Sequence, residues 1–188
     1  DGSGFKHSLL ITKDELNTVL ASGKVFPIKE MMTKLETSGN QATKYILALF
    51  KPQIDKIIDG LTLTIIADKG QNYGGMYTGD NIIINMLKTK DAERVFVHEM
   101  LHALTAGLIE KGKKGDPSLT ETQKKAYKDL EDLYKAVKAQ AKKDGKQQMY
   151  ALSSLDEFVA EGFSNRDFQR YLMSYDVPSN KKKRNGKL

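Results

Sequence analysis

Val97-His98-Glu99-Met100-Leu101-His102-Ala103-Leu104 is the stretch on which the fold turns. Val97, Leu101 and Leu104 recur at helical spacing, so the segment predicts a helix with an apolar face. On that helix His98 and His102 lie one turn apart and project from one face, near enough to share a tetrahedral Zn²⁺ at ~2.0–2.1 Å. Glu99 adjoins the first imidazole, where a carboxylate can accept a proton from a metal-activated water without binding the metal itself. The chain has three histidines, and two of them make this HExxH pattern. The third, His7, has no such neighbours in sequence and reads as an ordinary surface or terminal residue. The plainer alternative is a core helix burying Val95, Val97, Leu101 and Leu104, its two histidines satisfied by hydrogen bonds.

A catalytic zinc site takes three protein ligands and leaves a fourth position open. With no cysteine in the chain, the third ligand must be His, Asp or Glu. The same absence excludes disulfide frameworks, thiolate zinc fingers, iron–sulfur clusters and cysteine nucleophiles. The longer pattern HExxHxxGxxH fails, because Thr105 stands where its glycine would be and Leu108 where its last histidine would be. A carboxylate on a later helix is therefore expected, and Asp156-Glu157-Phe158-Val159-Ala160-Glu161-Gly162-Phe163 offers two. Glu157 and Glu161 are i and i+4, on one face, and zinc geometry accepts either. Ser154 with Glu157, or Ser153 with Asp156, also fits a capping box, in which the carboxylate would bond the backbone instead.

HExxH followed about 55 residues later by Glu-Phe-x-Ala-Glu-x-Phe resembles the zincin metallopeptidases of the gluzincin type, and most closely the anthrax lethal-factor and Pro-Pro endopeptidase group. The resemblance covers residues 73–172 at most, and residues 1–60 resemble nothing that can be named. It implies a zinc-dependent endopeptidase acting on a protein or peptide, with Zn²⁺ held by His98, His102 and Glu157 and with Glu99 as general base. It further implies that Glu161 is a supporting carboxylate beside the active-site helix. Tyr150, seven residues before Glu157, corresponds to the hydroxyl that stabilises the transition state, although a tyrosine there also suits simple loop packing. Zincin peptidases bind substrate as a strand added to an exposed sheet edge, which places Gly75, Met76 and Tyr77 as substrate-binding residues and Tyr73 and Tyr77 along the cleft. Ser164-Asn165-Arg166-Asp167-Phe168-Gln169 also resembles zincin-like modules of large phage and plasmid proteins. The alternative this implies is a catalytically silent structural or interaction module.

Around the motif the pattern predicts an α+β, zincin-like domain, mostly helical with a small three-stranded twisted sheet. Residues 1–60 read as a helical segment packed on the same domain. Its first helix starts at a Thr12/Glu15 capping box, carries Leu16, Val19 and Leu20, and ends near Gly23. A second carries Ile28, Met31, Met32 and Leu35 behind Pro27 and closes at Ser38-Gly39-Asn40. A third runs from Gln41 to Asp59, kinked or divided at Pro52. Residues 61–176 form the core domain: a strand over Leu61–Ile66, a hairpin over 74–85 with left-handed positions at Gly79-Asp80-Asn81, and the HExxH helix from Asp91 to Ile109, stopping near Gly112. Next comes a long helix behind Pro117, with Ser118 and Glu121 as its capping box and Tyr127, Leu130, Leu133, Tyr134 and Val137 on one side. It ends at Asp144-Gly145, and two short helices over 154–163 and 167–175 follow.

The chain of 188 residues carries 30 Lys+Arg against 24 Asp+Glu, a net charge of +6. Lys181, Lys182, Lys183, Arg184 and Lys187 lie in the last eight residues without an acid among them, so 1–180 holds 25 basic against 24 acidic residues. The body is nearly neutral, and the tail, 177–188, reads as disordered. Nucleic acid is accordingly not an expected partner, since no aromatic stacking residue stands in that tail. No apolar run approaches the ~20 residues of a membrane span, so a soluble protein is expected. Asp1-Gly2-Ser3-Gly4 suits a cleaved precursor, a fragment or a cloning remnant, and the localisation stays open between secretion after processing and a phage- or plasmid-encoded protein.

Overall fold

The structure, a computed structural model, describes Ile11, Asp14 and residues 23–175. The helix expected from Thr12, His7 and the basic tail over 177–188 lie outside the described residues. The protein is α+β, and its sheet is mixed and has four strands instead of three. The additional strand is β1 (Lys24–Phe26), which pairs antiparallel with β2 (Thr62–Ile66). Three residues between Gly23 and Pro27 are too few to show the alternation by which a strand is recognised. β3 (Gly75–Tyr77) and β4 (Asn81–Asn85) form the expected hairpin, and of its turn residues Gly79 alone takes a positive φ, 101°.

β4 does not sit at the edge. It lies between β2 and β3, parallel to β2 with Leu63 opposite Ile82 and Ile65 opposite Ile84, so the order is β1-β2-β4-β3. The chain leaving β2 therefore passes over the place of β4, forms β3 at the rim and returns. Asn85, fully buried, holds this crossing together: its amide bonds the backbone N–H and C=O of Asp68 and accepts from Leu87 N–H.

On the sheet lie α1 (Ile28–Ser38) and α2 (Gln41–Ile57), followed by a 3-10 turn over Ile58–Gly60. Pro52 does not divide α2. Ala48, whose carbonyl loses its helical donor to the proline, is exposed, as is Pro52 itself, so water can satisfy that oxygen.

The HExxH helix is α3 (Ala92–Lys114). It continues past Gly112 because that glycine serves packing: a Cβ there would stand 2.3 Å from the Tyr127 ring. The helix ends at Gly115, whose φ of 64° is the left-handed C-terminal cap. α4 (Glu121–Lys143) begins later than Ser118. The Asp116 carboxylate accepts from Ser118 N–H at 2.8 Å, forming a turn, and the capping box belongs to Thr120 and Gln123. A 3-10 turn over Tyr150–Leu152 leads to α5 (Leu155–Ser164), capped by Ser154, and α6 (Arg166–Ser174), capped by Asn165.

α3 is buried on most sides, which is why its stripe is not one-faced. Phe96 and Met100 enter the core that α1, α2 and the sheet build with Leu35, Leu47, Leu63 and Ile84. Ile109 enters a second core with Val137, Phe158, Phe168 and Tyr171 from α4, α5 and α6. Val97 and Leu101 join Ala160 between them. α5 is thereby clamped across α3 at the level of the two histidines. No described helix is long and apolar enough to cross a membrane.

Candidate metal centre and active site

The α3–α5 crossing brings His98, His102 and Glu157 together. Their ligand atoms lie within 4.8 Å of one another. The two Nε2 atoms are 3.1 Å apart, Glu157 Oε2 is 3.1 Å from His98 Nε2, and Glu157 Oε1 is 3.5 Å from His102 Nε2. Two ligands held at ~2.0–2.1 Å from one tetrahedral ion stand about 3.3 Å apart. The spacing is thus close to that of groups arranged around a cation, as well as to that of hydrogen-bonded groups.

Two further details fit a cation. Glu157 Oε2 is buried and meets His98 Nε2 at 3.1 Å without the alignment of a good hydrogen bond, and a buried carboxylate oxygen needs a positive charge beside it, an imidazolium or a metal ion. On the far side of the His98 ring, Nδ1 lies 3.2 Å from both Glu161 Oε1 and Ser164 Oγ. Ser164 donates its own hydroxyl proton to Ala160 O at 2.7 Å, so toward His98 it accepts. Nδ1 therefore carries a proton, and Nε2 is the atom left to bind metal.

Both carboxylates of the later helix are thereby assigned places. The Ser154 hydroxyl accepts from Glu157 N–H at 3.1 Å, one half of a capping box, but the Glu157 carboxylate turns to the histidines instead of completing it. Asp156 pairs with Lys113 at 2.9 Å. Glu161 lies behind His98, where it also accepts from Asn165 Nδ2 and stands 3.5 Å from Arg94 Nη1. Arg94, Ser164 and Asn165 were not recognised as site residues from the sequence. Arg94 and Ser164 carried a usable signal, standing one turn from His98 and from Glu161 on their own helices.

Glu99 is 6% exposed and stands outside the metal group. Burial pushes its carboxyl above the usual range, His98 and His102 pull it down, and the Tyr77 backbone amide also favours its ionised form. Tyr150, on the 3-10 turn before α5, donates to Glu157 Oε1 at 2.7 Å. Desolvation of its hydroxyl, and then the Glu157 carboxylate, hold its pKa well above the usual tyrosine value. Glu157 is held well below the usual carboxylate range: burial opposes this, and hydrogen bonds from His102, His98 and Tyr150 outweigh it.

His98 is likewise opposed by burial, yet its hydrogen bonds to Glu157 and Glu161 raise its pKa to about 9. In the metal-free protein this imidazole is charged at neutral pH, and a divalent cation must displace its proton. Loading zinc at pH 7 is expected to release close to one proton, read by calorimetry in two buffers of different ionisation enthalpy. A raised folded-state pKa stabilises fully below the unfolded value and fades above it. The metal-free protein should therefore lose stability as pH rises from about 6.5 through about 9.

β3 pairs only with β4 among the described residues. Gly74 C=O and Thr78 N–H bond β4. By the alternation of an antiparallel ladder, Gly75 and Tyr77 turn their backbone groups the other way, to the free edge beside Glu99. Met76 points to the opposite face, 36% exposed, and the Tyr77 hydroxyl bonds Gly79 O. Tyr73 and Tyr77 line two separate cavities on either side of the His98–Glu99 pair.

A Cβ on Gly75 would lie 2.3 Å from Val95 Cγ1 and 2.6 Å from Glu99 Oε1. Gly75→Ala is expected to push Glu99 or β3 aside and lower any hydrolysis that depends on Glu99 about 10²-fold. Metal content should be unchanged, since the atoms the new Cβ would strike first belong to Val95 and Glu99, neither of them in the metal group.

Fold and site together define an α+β protein that brings two histidines and a glutamate to one point, a group that could hold a metal ion. No family model matches the chain, and no matching curated protein or solved structure was found.

Proposed function

We propose that this protein is a zinc-dependent endopeptidase of the zincin, gluzincin type. The observation that carries this reading is the convergence of His98 Nε2, His102 Nε2 and the buried carboxylate of Glu157 on one point between α3 and α5. His98, His102 and Glu157 would hold Zn²⁺, which when bound polarises a scissile carbonyl and acidifies a water.

The remaining work belongs to side chains of this chain. Glu99 takes the proton of the attacking water and returns it to the leaving amine, a role suited to a carboxyl that burial has raised. The Tyr150 hydroxyl stays protonated at neutral pH and donates to the carbonyl oxygen as negative charge develops on it. Glu161 and Ser164 fix the His98 ring from its Nδ1 side. The outward amide and carbonyl of Gly75 and the outward carbonyl of Tyr77, whose amide faces Glu99, hold the peptide backbone as an added strand.

The test is metal analysis and a peptide-library digest on one sample. One zinc per chain with cleavage that chelation abolishes is expected. A fully zinc-loaded protein that cuts nothing in a broad library overturns the activity and leaves a silent zincin-like module.

A further inference from the structure

The two ends of the cleft differ in charge. At the Gly75 end a cavity of about 630 Å³ runs from His98, Glu99 and Tyr150 to Lys88, Lys90 and Arg94. The loop that carries the lysines runs beside the residue that precedes β3: a Cβ on Gly74 would be 3.4 Å from Lys88 O and from Thr89 Cβ. It is also tied internally, Lys88 N–H donating to Asn85 O and Asp91 N–H to Thr89 Oγ1. Three acids share this cavity, Asp91, Glu99 and Glu161, and the two nearest the lysines and Arg94 are engaged by neighbours. Asp91 caps α3 by accepting from Arg94 N–H, and Glu161 is engaged by His98 and Asn165. Lys88 and Lys90 have no ion-pair partner among the described residues.

Beyond Tyr77 the second cavity, about 300 Å³, is lined by Asp156 and Glu157 and by no lysine or arginine. Asp156 is paired with Lys113 and Glu157 belongs to the metal group, so a peptide lying along β3 passes from a wall without lysine or arginine, over Glu99, to one that carries three.

Resting on the peptidase reading, we propose that Lys88 and Lys90, backed by Arg94, form a subsite for a carboxylate of the substrate on one side of the scissile bond. An added strand antiparallel to β3, the commoner pairing, has its C-terminal half at the Gly75 end. The carboxylate then lies C-terminal to the cut. It is either an Asp or Glu side chain or the terminal carboxylate of a peptide ending just beyond the bond.

The experiment uses zinc-loaded protein and two random peptide libraries, one with free C-terminal carboxylates and one amidated. Cut sites are read by mass spectrometry. Peptides captured by zinc-loaded Glu99→Gln are read in parallel, which requires no turnover. Enrichment of Asp and Glu after the cut, about fivefold and lost or reversed in Lys88→Glu/Lys90→Glu with zinc content unchanged, is the expected result. If Asp and Glu are enriched after the cut in both libraries the group is a side chain; if instead cuts cluster just before free C-termini and are lost on amidation, it is the chain end. Cleavage with neither preference, or a preference indifferent to charge reversal, overturns the subsite and leaves the peptidase standing. Capture of acidic peptides with the same lysine dependence but no cleavage supports the subsite and overturns the peptidase. Neither cleavage nor capture overturns both.

Discussion

Glu99→Gln is expected to lower peptide hydrolysis by about 10²–10⁴-fold while zinc stays bound at one per chain. The two halves of that result have separate physical causes. Glutamine keeps the size of the buried side chain and an oxygen to face the Tyr77 amide, so α3 and β3 have no reason to move. What it cannot do is take up a proton. The metal group, His98, His102 and Glu157, does not include Glu99, and so the variant should load zinc as the parent does. Steady-state kinetics on a cleaved library peptide, with zinc measured on the same preparation, separates the two. The loss should fall on kcat, since Glu99 acts on a proton in flight and does not hold the peptide. A variant within tenfold of the parent would show that another group is the base. Loss of zinc together with activity would show that Glu99 supports the metal instead.

The part of this site legible in the sequence is the part that is local. His98, Glu99 and His102 sit on one helix, and one helical turn fixes their relation before any tertiary contact forms. The proposed third ligand is different. Spacing narrows the choice to Glu157 and Glu161, and the angle at which α5 crosses α3 separates them, putting one carboxylate against both Nε2 atoms and the other behind the His98 ring. That angle is set by apolar contacts such as Val97 and Leu101 against Ala160, which no spacing rule reports. Ser154–Glu157 carries a second lesson, since the same pair reads as a capping box or as a cap beside a ligand. The serine does cap the backbone, and the glutamate side chain is drawn to the histidines.

The sheet shows the same limit. Strand β2 declares itself by alternation and the β3–β4 hairpin by its Gly79-Asp80-Asn81 turn, whereas the parallel pairing of β2 with β4 and the antiparallel addition of β1 depend on partners far apart in the chain. Gly112 illustrates how a local signal misleads: a glycine near a helix end suggests a stop, and here it makes room for the Tyr127 ring of the returning helix.

The crossing of α5 over α3 makes a prediction that distinguishes the two carboxylates by the order of their losses. Glu161→Gln is expected to weaken zinc affinity by about 10–100-fold, the usual cost of losing a partner that orients a ligand. His98 keeps Ser164 Oγ as an acceptor on Nδ1, so its ring remains roughly in place, while Arg94 loses the carboxylate it approaches. Glu157→Gln should cost more, enough that zinc is lost on dialysis against buffer that leaves the Glu161→Gln protein loaded. It replaces a charged ligand by a neutral oxygen between two imidazoles, and it leaves two histidines where a catalytic site needs three ligands. Competition with a chromogenic chelator at fixed pH measures both affinities on one scale, and pH must be held because the His98 proton competes with the metal. The reverse order, with Glu161→Gln stripping the metal and Glu157→Gln retaining it, would move the third ligand one helical turn along α5. It would also require α5 to rotate about its axis, since Glu161 Oε1 now lies beside Nδ1 and not Nε2 of His98.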